Sequence, residues 1–284
     1  MNFIAALSFD HPAFAPYRQL IDALDLARTA PSLAELNALA SASGTLQARG
    51  LPLRFVTAAG HLSARDYETR ILQTGEVPTR ADTWHDIMNA LVWLRFPRFK
   101  AALNAAHGAA IELETDVLRG RRRDALTVLD ESGVWVVSRD PELPALLAGH
   151  AWQALFWERR RQVEMQMDFV VVGHALLEKL LAPYPSVTGK CLVLGQIPGS
   201  DAPAQSIEAQ AVAALAAIDS PRQLAPLPVQ GVPGWDAANA TAAYYANPAV
   251  FRPPRLNPPA AAGRPQPATP APSPDHRTGE SPPT

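Results

Sequence analysis

Thr83-Trp84-His85-Asp86-Ile87-Met88-Asn89-Ala90-Leu91-Val92-Trp93-Leu94-Arg95-Phe96-Pro97 is the stretch on which the reading of the fold turns. Taken as a helix from Trp84 to Phe96, it puts Ile87, Leu91 and Leu94 on one apolar stripe. His85, Asn89, Val92 and Phe96 form a second at i, i+4, i+7 and i+11. A helix that is apolar on more than one face is surrounded by protein, and polar groups on it must find partners there. His85 and Asn89 therefore lie one turn apart on one face and point somewhere specific. Asp86 has a plainer use: with Thr83 as N-cap, it takes the third helical position of a capping box. For His85, a structural hydrogen-bonded histidine weighs evenly against a functional one.

Helical patterns continue on either side. Phe14–Ala27 and Leu33–Ser41 read as short amphipathic helices, the second capped by Ser32 with Glu35 three residues on. Leu53–Thr57 reads as a strand. Ser63 caps a helix over Ala64–Thr74, with Asp66 in its first turn and Gly75 as its stop. After Pro97 a long helix runs to about Leu118, with Phe99, Leu103, Ala106, Ala110, Leu113 and Val117 as its apolar stripe. Ala125–Leu129 and Val134–Ser138 flank Asp130-Glu131-Ser132-Gly133 and read as a β-hairpin turning at Gly133. Leu143–Leu147 and Ala151–Val163 read as helical, Met165–Val172 either as a strand feeding a helix at His174–Leu181 or as an earlier start of that helix, Cys191–Leu194 as a short strand, and Ser206–Ile218 as an Ala-rich helix. From Ser220 the prolines imply extended arms over the body.

The chain has 284 residues, 48% apolar and 18% charged, and these support a real core. Of its 28 prolines, 11 fall in the 32 residues from Pro253 to Thr284, a composition that cannot bury enough apolar surface to offset chain entropy. The expected class is α+β: a helix-rich single domain over 1–255 with a small antiparallel β-sheet, then a Pro-rich disordered tail over 256–284. A formal charge of −2 argues against bulk nucleic-acid coating. The one cysteine, Cys191, excludes an internal disulfide or a multi-cysteine zinc site. Met1–Pro12 has no signal-peptide pattern and no stretch is long and apolar enough for a membrane span, so a cytoplasmic protein is expected.

Three clusters carry candidate chemistry. His85 and Asn89 are the first. His174 and Glu178, at i and i+4 in an apolar run, suit two metal ligands or a histidine oriented by a carboxylate; the plainer reading is a helical His–Glu hydrogen bond. Asp124, Thr127, Asp130 and Glu131 are the third, able to hold a divalent cation or activate water, although turns attract aspartate for local reasons. Jointly, the histidines and carboxylates make a mixed N/O site if the fold unites them. The arginine runs Arg119/Arg121/Arg122/Arg123 and Arg159/Arg160/Arg161 read as solvated faces diluted by Glu112, Glu114, Asp116 and Glu158. No nucleophile elbow, P-loop or dinucleotide fingerprint occurs, and Cys191 opens an apolar run that suits an inert thiol.

Several blocks resemble one family. Tyr67-Glu68-Thr69-Arg70-Ile71 and Thr74-Gly75-Glu76-Val77-Pro78-Thr79-Arg80 match its first block, and Trp84-His85-Asp86 with Asn89-Ala90-Leu91-Val92-Trp93, Phe96-Pro97 and Lys100 its central signature. Asp124-Ala125-Leu126-Thr127 with Asp130-Glu131-Ser132-Gly133, Gly173-His174-Ala175-Leu176 with Glu178-Lys179, Gly231-Val232-Pro233-Gly234-Trp235 and Phe251-Arg252-Pro253 match later blocks. The chain resembles the bacterial family called domain of unknown function 3025 from roughly residue 10 to 255. The resemblance places these polar residues inside signature blocks and implies no catalytic assignment.

The leading expectation is a hydrolytic enzyme built on His85, Asn89, Asp124, His174 and Glu178. In its metal form His85, His174 and Glu178 are ligands of a divalent ion, and Asp124 or Glu131 is the base acting on bound water. The substrate is then a small molecule. The alternative is a non-catalytic scaffold whose buried polar groups fix helix packing, with a protein partner for the Pro-rich tail. Nucleic-acid binding through the arginines is a weaker third.

Overall fold

Pro12–Tyr17 is the first element, a 3-10 turn that leads into α1, Arg18–Ala23; the single helix expected over Phe14–Ala27 is thus split in two and stops at Ala23, with turn at residues 24–28. The computed structural model describes residues 8–60, 62–114, 120–195 and 204–251, all within the unit Met1–Arg252. The Pro-rich tail lies outside the described residues. Helix α2, Leu33–Ala42, starts at a complete Ser32–Glu35 capping box, and α3, Ala64–Thr74, starts at Ser63 and stops at Gly75 in the left-handed region. Both sets of start and stop signals act as their sequence reads. Between them β1, Arg54–Thr57, pairs in parallel with β2, Glu76–Thr79, in a two-stranded sheet.

The pivotal segment is α4, Trp84–Arg95, in which Ile87 through Leu94 are all buried. Its start differs from the expected capping box. Thr83 makes no cap hydrogen bond, and the Asp86 carboxylate instead grips Arg80, accepting from its backbone N–H at 2.7 Å and its guanidinium at 2.9 Å. Pro97 begins α5, Pro97–Leu113, whose stripe is buried at Phe99, Leu103 and Ala110 and ends at Leu113, 83% exposed where the helix stops.

The expected hairpin is corrected here: residues Arg121–Ser132 form α6, and Gly133 is the switch into β3, Gly133–Ser138, not a turn between strands. Ala125, Leu126 and Leu129 make a buried helical face, and that burial outweighs the turn-like Asp-Glu-Ser-Gly sequence. The chain continues through α7 (Leu143–Ala148), a π-helical turn at Ala154–Glu158, α8 (Arg160–Gln166), β4 (Met167–Val171), α9 (His174–Leu180), β5 (Thr188–Leu194), α10 (Ala204–Ala214) and β6 (Ala225–Pro228).

The four-stranded sheet has the order β4-β3-β5-β6, with β3 antiparallel to β4 and parallel to β5. The molecule is thus helix-rich with small sheets. The larger sheet is mixed and the smaller parallel, where an antiparallel sheet was expected; β3 is buried at all six residues, as strands covered on both faces are. Trp135 of β3 meets Phe96 and Phe99 edge-on at 4.8 and 4.9 Å, locking α4 and α5 to the sheet. No described helix is long and apolar enough to cross a membrane.

Candidate functional site

The end of α6 and the start of α9 are clamped together by backbone. The carbonyl of Gly133 accepts from the N–H groups of both Val172 and Gly173 at 2.9 Å. A Cβ on Gly173 would sit 2.4 Å from the Gly133 nitrogen, so only glycine permits this approach. Asp130 and Glu131 precede the clamp in one segment and His174 follows it in the other. Helix α4 packs against α9 and brings His85 to the same place.

The two imidazoles meet through Nε2 atoms 3.1 Å apart. Behind His85, Nδ1 lies 3.0 Å from Glu178 Oε2. Behind His174, Nδ1 faces Asp130 Oδ2 at 3.8 Å without a hydrogen bond, and Asp130 is itself clamped by the Lys100 ammonium. The Glu178 carboxylate favours an N–H on His85 Nδ1, which turns the His85 Nε2 lone pair toward His174. At 3.1 Å the two Nε2 atoms either share a proton in a hydrogen bond or face one metal ion between them. Glu131 Oε2 lies 3.6 Å from His174 Nε2, and donor atoms of His85, Glu131 and His174 all fall within 4.8 Å of each other.

Electrostatics reinforce the arrangement. Burial, with the charges of Lys100 and His85, pushes His174 down to about 4 against the pull of Asp130, so it is neutral and able to donate a lone pair. Burial opposes the Asp130 carboxylate, yet Lys100 and His174 overcome it and hold the group at about 2. Burial and the adjacent Asp130 charge raise Glu131. Arg80 is paired with Asp86, Arg123 with Glu114, and Lys100 with Asp130. Among the described residues, Glu131 and Glu178 have only the imidazoles as ion-pair partners.

These groups open onto a cavity of about 510 Å³ whose wall also includes Tyr67, Glu68, Arg80, Asn89, Arg123 and Thr127. Glu68 is raised to about 7 by burial and by the Asp130 charge, and accepts from Asn104 Nδ2 at 2.7 Å. Asn89 donates from Nδ2 to the Tyr67 hydroxyl at 2.8 Å.

Of the residues singled out in the sequence, His85, Asn89, Glu131 and His174 line this cavity together. Glu178 meets His85, which lies 93 residues away in the chain, and stands outside the group of donor atoms formed by His85, Glu131 and His174. Asp124 is on the first turn of α6 and is not part of the cavity wall, whereas Thr127, one turn on, is. Tyr67, Glu68 and Lys100 stood in family-like blocks without being given a role. Lys100, Asn104 and His107 also recur at helical spacing as buried polar positions inside the apolar α5, the same signal that exposes His85 and Asn89.

The arginine runs are largely engaged. Arg122 donates to the carbonyls of Leu215 and Ile218, Arg159 meets Glu142, and Arg160 meets Glu164 and the Asn239 carbonyl. Cys191 is a buried thiol, with its pKa raised by that burial.

One comparison is informative. The family described as "Protein of unknown function (DUF3025)" matches the chain over residues 53–255, which takes in every residue of the site. No curated protein and no solved structure matches.

Proposed function

We propose that this chain, which belongs to the DUF3025 family, is a metal-dependent hydrolase with His85, His174 and Glu131 as ligands of one divalent ion. The observation that carries the reading is the pair of Nε2 atoms facing each other at 3.1 Å with Glu131 at 3.6 Å. A tetrahedral ion with ~2.0–2.2 Å bonds holds its donor atoms ~3.3–3.6 Å apart, and two histidines with one carboxylate leave a position open to water. The two carboxylates without a lysine or arginine partner supply the charge that such an ion balances. Glu178 acts behind His85 as the carboxylate that fixes ring orientation and tautomer.

The ion supplies Lewis acidity and a water acidified toward neutrality. The chain supplies the rest. Glu68 titrates at about 7 and lines the same cavity, which suits it to carry a proton between water and leaving group. A cytoplasmic setting fits a chain whose one cysteine is a buried free thiol.

Elemental analysis of purified protein checks the reading: about one transition-metal ion or zinc per chain is expected, falling below a tenth in His174→Ala and His85→Ala. Absence of stoichiometric metal together with unchanged melting in chelator sinks it. The specific rival is a metal-free pair sharing a proton, since 3.1 Å is also a hydrogen-bond distance. It predicts that metal-free result, with activity retained in chelator.

A further inference from the structure

Arg123 stands in the first turn of α6, is only 7% exposed, and forms part of the wall of the cavity that holds the histidines. Its Nη1 donates to Glu114 Oε2 at 2.9 Å, and among the described residues that is its one hydrogen bond. Nε and Nη2 are left, the two nitrogens whose N–H bonds run side by side and take both oxygens of a carboxylate or phosphate. The molecule uses that edge elsewhere: Arg80 gives Nε and Nη2 to Asp86, and Arg70 gives the same pair to Glu76. On Arg123 the edge is open. Neither nitrogen is among the fully enclosed polar atoms that lack a partner, so both retain accessible surface on a side chain that lines the cavity.

Charge points the same way. Glu114 accepts from the Gly120 N–H and from Arg123, both at 2.9 Å, and has Arg65 at 3.7 Å. Two guanidinium groups thus share one carboxylate, and among the described residues neither has another ion-pair partner, so one positive charge is uncompensated. Glu68 lies on the same wall and feels the Arg123 charge, yet it makes its hydrogen bond with Asn104 and is raised to about 7 by burial and Asp130. A largely buried guanidinium edge without an acceptor is costly, and an anion seated on it removes that cost.

We infer that the Nε and Nη2 edge of Arg123 anchors a two-oxygen anionic group of the substrate, a carboxylate or a phosphoryl group; what is done to that substrate rests on the hydrolase reading above. Glu114 is part of the anchor, because it holds the guanidinium through Nη1 and so sets the plane of the open edge before the anion arrives. A neutral carbonyl or an alcohol fills one of the two parallel donors, whereas a carboxylate or phosphoryl group fills both. A lysine in this place would supply the charge without the paired donors.

The test uses full-length protein stripped of metal by chelator, its metal content measured, so that no anion is held through an ion. Inorganic phosphate and benzoate are titrated into it by calorimetry at low ionic strength. One site per chain is expected for at least one of them, and the tighter of the two tells whether the edge takes a phosphoryl group or a carboxylate. Arg123→Lys should weaken that binding at least tenfold. Binding of neither anion, which leaves the edge to water, overturns the assignment. So does equal affinity in wild type and in an Arg123→Lys protein that melts like it. Where Arg123→Lys does not fold, wild-type crystals soaked in phosphate and in benzoate decide. An anion at hydrogen-bond distance from Arg123 Nε and Nη2 supports the assignment, and an anion elsewhere in the cavity, or none, overturns it. Zinc uptake is measured on separate samples. Protein that binds the anion without taking up zinc loses the metal reading and keeps this one; protein that takes up zinc and binds neither anion does the reverse.

Discussion

Glu68 is the residue at which folding and titration are most openly in conflict. Its carboxyl is buried beside the Asp130 charge, and hydrogen bonding from Asn104 with the fields of Lys100 and Arg123 only partly offsets this, leaving it at about 7 against an ordinary 4.5. Between those two values the folded state holds a proton that the unfolded chain has released, so this group's contribution to stability is present at low pH and is lost as pH rises from about 4.5 to 7. A decline on the order of 3 kcal/mol across that window is the scale to expect. Urea unfolding at pH 5 and pH 8 checks it: wild type should lose more stability over the interval than Glu68→Gln, which keeps the shape without the titration. Identical changes in the two proteins would remove Glu68 as the source. Asp130 is the counterexample in the same cluster, since the Lys100 ammonium keeps its carboxylate ionised despite equal burial.

At the scale of elements, the junctions α6–β3 and β4–α9 decide whether a site exists. Gly133 and Gly173 let two backbones touch, and the residues flanking them are the acidic pair and His174. Gly173→Ala inserts a methyl against the backbone of Ser132 and Gly133, an overpacking that typically costs ~1–3 kcal/mol. It should lower the denaturation midpoint and weaken zinc binding together, since relief of the clash moves His174 away from Glu131. Unchanged zinc affinity in a destabilised Gly173→Ala protein would show that the clamp serves stability alone. The same junction explains what the sequence leaves illegible. His85 and Asn89 stand out because their spacing is local to one apolar helix. Glu131 reads as a turn residue because Asp-Glu-Ser-Gly satisfies turn chemistry, and the burial of Ala125, Leu126 and Leu129 that makes it helical depends on neighbours far along the chain. Glu178 reads as a partner of His174 because spacing reports only its own helix, whereas its contact is to α4. Helix ends such as Ser32–Glu35 and Ser63–Gly75 are legible because the signal and its hydrogen bonds lie within a few residues.

For the whole molecule, the site is a product of the complete fold, because α3, α4, α6 and α9 each supply residues to one cavity and no two are joined by a short local motif. An ion bound there binds the folded state and not the unfolded chain, so zinc at 100 times its Kd should add ~2.7 kcal/mol to stability and raise Tm accordingly. His174→Ala should abolish the rise while still unfolding cooperatively; an undiminished rise in that variant would place the ion elsewhere. The four-stranded sheet beneath the site ends on one side in β6, Ala225-Pro226-Leu227-Pro228, which pairs through Pro226 with Lys190 and through Pro228 with Thr188. Two of its four residues carry no backbone N–H, so the rim facing away from β5 offers an incomplete template to any incoming strand. Concentrated solutions of this protein should therefore resist growth of ordered aggregates by strand addition at that rim, and replacing both prolines with valine would reopen it.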